Sequence, residues 1–92
     1  MLKYIETDSE NSRVTDIISA PDERTMLTKL KRHFASMYDD PDEQHVAQAI
    51  RSTRDLEELG ASIDYTYGWG ENDIKVGHLI EELPDGTFRQ VW

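Results

Sequence analysis

No cysteine occurs among the 92 residues. That absence excludes a disulfide framework, a thiolate metal site and thiol catalysis. There is no apolar run near the ~18 residues that a membrane-crossing helix needs. Repeats, low-complexity stretches and Pro/Gly-rich linkers are missing as well, and three prolines and five glycines act as local punctuation only. Bases are scarce where acids are dense. From Asp55 to Asp85, Lys75 faces nine acids, so that stretch carries −8 of the chain's −9, and residues 24–54 are net positive.

A chain this short forms one domain and buries only around two thirds of its unfolded surface. It has room for a single core of two layers and none for a deep interdomain cleft. Met1 to Glu6 turns polar at once and carries no apolar signal region, so the sequence reads as a soluble, cytoplasmic protein.

Residues 2–7 are rich in β-formers and predict a strand. Residues 13–19 are β-branched enough for a second, with a single helical turn as the alternative. Pro21, Asp22 and Glu23 suit a first helical turn, where the positive end of the helix dipole favours acids. Met26, Leu27, Leu30, Phe34, Met37 and Tyr38 then recur at helical spacing, opposite Lys29, Lys31, Arg32 and Ser36. A second helix is expected from Asp40, as cap, through Pro41 and Glu43 to a stop at Gly60. Val46, Ala49, Ile50, Thr53, Leu56 and Leu59 form its buried stripe, with Arg51–Asp55 and Arg54–Glu58 as pairs four apart.

The remainder reads as β. Ile63, Tyr65 and Tyr67 alternate with polar residues, and Gly68 to Asp73 form a loop. Ile74, Val76, His78 and Ile80 alternate with Lys75, Gly77, Leu79 and Glu81. Pro84-Asp85-Gly86 is turn chemistry, followed by a last strand over 87–92. The fold class is therefore α+β: a small antiparallel β-sheet, made of a C-terminal three-strand meander plus an N-terminal strand or hairpin, with two amphipathic helices packed on one face. Asp64, Lys75, Glu81 and Arg89 are expected on the opposite, open face or at its rim.

Catalytic constellations are missing. His33, His45 and His78 show no ligand spacing, and no serine sits in a nucleophile elbow. The Gly68-Trp69-Gly70 loop lacks the lysine of a phosphate loop and is flanked by acids. The sequence thus predicts no enzyme, no cofactor and no metal. Its expected partner-binding residues are Asp55, Glu57, Glu58, Asp64, Trp69, Glu71, Asp73, Glu81, Glu82 and Asp85. Carboxylates along strands and turns can imitate backbone phosphates, and a tryptophan between glycines has the anatomy of an interface hot spot. Tyr65, Tyr67 and Trp92 are expected in the core. The four bases Arg24, Lys29, Lys31 and Arg32 read as a solvated helix face, because a basic footprint for duplex DNA is lacking.

In size, acidity, and lack of cysteine and motif, the chain resembles phage-encoded inhibitors of bacterial defence, the anti-CRISPR and DNA-mimicking antirestriction proteins. That resemblance implies a non-enzymatic inhibitor in the host cytoplasm that occupies a basic groove on a nucleic-acid-handling complex, without binding duplex DNA or membrane. An immunity protein or antitoxin that masks a toxin's active site uses the same electrostatics. A self-associating structural or accessory subunit is the reading from a different class, and a conspicuous apolar exposed face would favour it.

Overall fold

The computed structural model describes residues 1–8, 13–37, 44–63 and 75–92. Their element order is β1 (Leu2–Asp8), β2 (Arg13–Ala20), α1 (Glu23–Met37), α2 (Gln44–Ser52), α3 (Leu56–Ile63), β3 (Lys75–Glu82) and β4 (Phe88–Gln90). The strands form one antiparallel sheet in the order β2-β1-β3-β4, with the helices against one face. The α+β class expected from the sequence is what the fold shows.

The N-terminal strand is central rather than peripheral. β1 pairs on one side with β2 and on the other with β3, so Leu2, Tyr4 and Glu6 alternate onto the helix-facing side and are buried. Met26, Leu30 and Phe34 of α1 meet them, and Ile50, Leu56, Leu59 and Ile63 complete the core. Of the two helical stripes read from the sequence, Met26, Leu30 and Phe34 and then Ile50, Thr53, Leu56 and Leu59 are buried, Leu27 and Ala49 are half-buried, and Met37, Tyr38 and Val46 have side chains outside the described set. Leu79, fully buried, brings in β3.

Several expectations are corrected. Asp22 lies before the first helix as its cap, accepting a hydrogen bond from the Thr25 amide at 2.8 Å. The expected second helix is two helices. The Thr53 hydroxyl donates back to the Ala49 carbonyl at 2.7 Å and Ser52 does the same at 3.0 Å. Asp55 then caps a new helix by accepting from the Glu58 amide at 2.9 Å. Short polar side chains that compete for backbone groups end one helix and start the next. Arg51–Asp55 and Arg54–Glu58 straddle that break instead of lying on one helix face.

Gly60 is no cap but an interior residue of α3, set there by close packing. A Cβ at this position would lie 2.5 Å from Cδ1 and 2.8 Å from Cδ2 of Trp92. Residues 61–63, expected to open a strand, continue α3, because Leu59 and Ile63 present one buried helical face. The rest of that expected strand, and the Asp40 cap, fall outside the described residues. The described C-terminal sheet is the β3–β4 hairpin, joined where expected at Pro84-Asp85-Gly86. Gly86 has φ of 85°, and the Thr87 amide donates to Asp85 Oδ1 at 3.0 Å.

Two irregularities aim side chains. Thr15 is an extra residue in β2, between the Glu6–Asp16 and Thr7–Val14 pairs. At the far edge, the amides of Val91 and Trp92 both donate to the Leu79 carbonyl, at 2.8 and 3.2 Å. Two residues opposite one is a β-bulge, which re-aims the side chains around it. Val91 and Trp92 accordingly both pack against the core, and the Trp92 ring lies 5.8 Å from that of Tyr4. Trp92 is therefore placed as the sequence suggested.

The inward face of β3 carries Gly77, Leu79 and Glu81; the set His78 and Ile80 points away. Glycine at 77 decides this, since a Cβ there would lie 2.6 Å from Tyr4 Cε2. The helix-free face of the sheet exposes Val14, Ile17 and Phe88, at 56, 61 and 57% of their full surface. Among the described residues, no helix is long and apolar enough to cross a membrane.

Candidate functional site: an acidic cleft and a cluster around a buried carboxylate

Two helix N-termini converge at one end of the sheet. Asp22 caps α1, Asp55 caps α3, and Glu23 of α1 reaches across to accept the Leu56 amide at 3.2 Å. Backbone amides at a helix start favour negative charge, so they hold these carboxylates in place. Asp22 is kept below the ordinary carboxylate value chiefly by the Thr25 amide and then by the Thr25 hydroxyl. Beside them, Glu81 accepts from Arg89 at 3.0 Å.

Together these residues line an open cleft of about 520 Å³. Asp22, Glu23, Asp55, Glu57 and Glu81 are its acidic side chains and Arg89 its basic one, and Met1, Leu2, Pro21, Leu56 and Val91 also line it. Glu81 and Arg89 therefore sit on the helix side of the sheet rim, not on the open face. Their pairing with β1 and each other in alternating register dictates that side.

Of the ten expected binding residues, the cleft gathers Asp55, Glu57 and Glu81. Glu58 is exposed on α3, Glu82 lies on the opposite face of β3 from Glu81, and Asp85 occupies the β3–β4 turn. Asp85 is held below the ordinary carboxylate value by the Thr87 hydroxyl first and the Thr87 amide second. Asp64, Trp69, Glu71 and Asp73, like Tyr65 and Tyr67, fall outside the described residues. Asp22 and Glu23 belong to the cleft although sequence reasoning assigned them only to a helix start. The cross-helix bond from Leu56 to Glu23 spans 33 positions and has no local signature.

The basic residues lie elsewhere. Arg24, Lys29 and Arg32 flank a shallow groove on α1, where Lys29 donates to the Ser19 carbonyl at 2.7 Å.

A second constellation was missed entirely. The Glu6 side chain is fully buried between sheet and α1. Its Oε2 accepts from the Tyr4 hydroxyl at 2.9 Å and lies 3.1 Å from His33 Nε2. Thr15 donates to the Glu6 carbonyl at 3.2 Å and approaches Oε1 at 3.4 Å. Asp16, the cross-strand partner of Glu6, is exposed on the same face. Ligand atoms of Glu6, Asp16 and His33 all lie within 4.8 Å of one another. The period-two alternation Leu2-Tyr4-Glu6 was the available signal, since it puts Glu6 on the face of two core residues.

No protein-family model, curated relative or solved structure matches the chain.

Proposed function

We propose that this protein is a non-enzymatic, acidic binding protein that occupies a basic, nucleic-acid-binding surface of a partner protein or complex, in the manner of anti-CRISPR and antirestriction inhibitors. The observation that carries the reading is the cleft's five acidic side chains against one basic side chain, Arg89. Asp22, Glu23 and Asp55 are oriented by backbone amides, so their charge is presented without the entropy cost of ordering long side chains. The carboxylates of Glu57 in the cleft, Glu58 on α3 and Glu82 on the other face of β3 take part in no hydrogen bond or ion pair among the described residues. They are available to lysine and arginine of a partner. Such a surface draws a basic groove by long-range attraction, and capture weakens as salt screens it. An immunity protein or antitoxin shares this mechanism and differs in the partner alone.

The test reverses charge where it bears no structural duty. Glu57, Glu58 and Glu82 are changed together to lysine, and the tagged protein is used to draw partners from a bacterial lysate at low and high salt. Wild type recovers a nucleic-acid-handling complex at low salt and the variant does not. Equal recovery by both sinks the electrostatic reading.

One observation favours a second reading. Val14, Ile17 and Phe88 are exposed on the helix-free face, where Ile5 and Ile80 are half-buried between them. Contiguous apolar surface of this kind marks interaction sites, and it supports a self-associating accessory subunit. Sedimentation of wild type against Ile17→Asp separates the readings: a concentration-dependent dimer lost in the variant favours self-association.

A further inference from the structure

We propose that Glu6, Asp16 and His33 bind a divalent first-row transition ion, tying the edge strand β2 to helix α1 through the central strand β1. The donor set is one imidazole and two carboxylates, which suits zinc and its neighbours; calcium and magnesium prefer oxygen alone. Three protein ligands leave further positions for water, and the exposed Asp16 side gives the ion its way in.

The spacing agrees with that chemistry. Two neighbouring ligands at ~2.1 Å from one ion stand roughly 3.0 Å apart in octahedral and roughly 3.4 Å in tetrahedral geometry. Glu6 Oε2 and His33 Nε2 are 3.1 Å apart already. Asp16 completes the set within 4.8 Å, and its exposed side chain closes the remaining distance by rotation. The cluster is also supported from behind. Tyr4 donates to Glu6, Thr15 approaches its other oxygen, and the Thr15 bulge sets Asp16 directly opposite. Such outer partners fix ligand orientation and sharpen affinity. Metal ligation needs the Nε2 lone pair, so in the bound state the imidazole carries its hydrogen on Nδ1, and a proton lost from Nε2 passes to solvent.

The metal-stripped 92-residue protein is titrated with zinc chloride by calorimetry, while long-range ¹H–¹⁵N NMR follows the histidine rings. One equivalent is expected to bind saturably, with His33 Nε2 shifting and His78 unmoved. Asp16→Asn weakens affinity at least about ten-fold, the lower end of what loss of even an outer partner costs. Its metal-free melting temperature stays at the wild-type value, because Asp16 is exposed; His33→Gln removes saturable binding. Absence of saturable binding at millimolar zinc overturns the proposal. So does binding that persists unchanged in Asp16→Asn, or a response at His45 or His78 in place of His33.

Discussion

Gly60→Ala offers a test in which local and tertiary physics predict opposite signs. Glycine inside a helix is about 0.8–1.0 kcal/mol less favourable than alanine, so propensity alone predicts stabilisation. The structure predicts the reverse. The added Cβ would fall 2.5 Å from Trp92 Cδ1 and 2.8 Å from Cδ2, closer than real Cβ contacts occur. Those atoms sit near the root of the indole, and the Trp92 backbone is held to β3 by its amide, which donates to Leu79 at 3.2 Å, and by its carbonyl, which accepts from Leu79 at 2.6 Å. Neither partner can step aside cheaply. Overpacking costs about 1–3 kcal/mol, and with contacts this close and both partners held the cost falls in the upper half of that range, about 2–3 kcal/mol, which exceeds the propensity gain. A net loss of about 1–2 kcal/mol is expected, or a fall in melting temperature of roughly 5–10 °C for a domain of this size.

The same substitution in a Trp92→Ala background should change sign, gaining about 1 kcal/mol, because the clash is gone and the propensity remains. Trp92→Ala itself costs about 3–5 kcal/mol, so the cycle is measured by urea unfolding at roughly 10–20 °C, where small domains are most stable. The coupling between the two sites should reach about 2–3 kcal/mol, within the range for residues in contact. Additive effects, or a Gly60→Ala protein that melts higher than wild type, would refute the packing argument.

Other expectations follow from the same contacts. Gly77→Ala pushes the Tyr4 ring from its place over the strand, and should cost about 1–3 kcal/mol in urea unfolding while shifting the His33 ring resonances that report the Glu6 cluster. Asp55→Ala removes the cap of α3 at a cost of about 1 kcal/mol, whereas Asp55→Asn retains an acceptor and should cost less. Asp22 and Asp85 have folded-state values lowered from 3.8 by bonds from Thr25 and Thr87. Their contribution is therefore complete above the unfolded value and is lost as pH falls through the lowered folded values. Urea midpoints measured from pH 5 to pH 2 should fall less steeply for an Asp22→Asn/Asp85→Asn variant than for wild type.

Much of the scaffold was legible because its signals are local. The β-forming residues at 2–7, helical spacing at Met26, Leu30 and Phe34, and the Pro84-Asp85-Gly86 turn each depend on neighbours a few positions away. The acidity of the 55–85 stretch needed only counting. The reading failed where local rules allowed two outcomes. A stripe running from Val46 to Leu59 looks continuous, yet Ser52, Thr53 and Asp55 supply a stop and a new cap inside it. Glycine at 60 fits a helix end by its own preference, and only the indole lying on it explains an interior place.

The candidate sites mark the same division more sharply. Composition determined that the protein is small, thiol-free, acidic and α+β, because each of those properties is a sum over residues or a pattern within one element. Which carboxylates stand together was decided by the fold. Asp22, Glu23, Asp55, Glu57 and Glu81 share a cleft because two helix starts meet a sheet rim, and Glu6 meets Asp16 and His33 because β1 pairs with β2 while α1 packs across the same face of the sheet. Those distances depend on register, a bulge and the side on which the helices pack, none of which a single strand or helix encodes by itself.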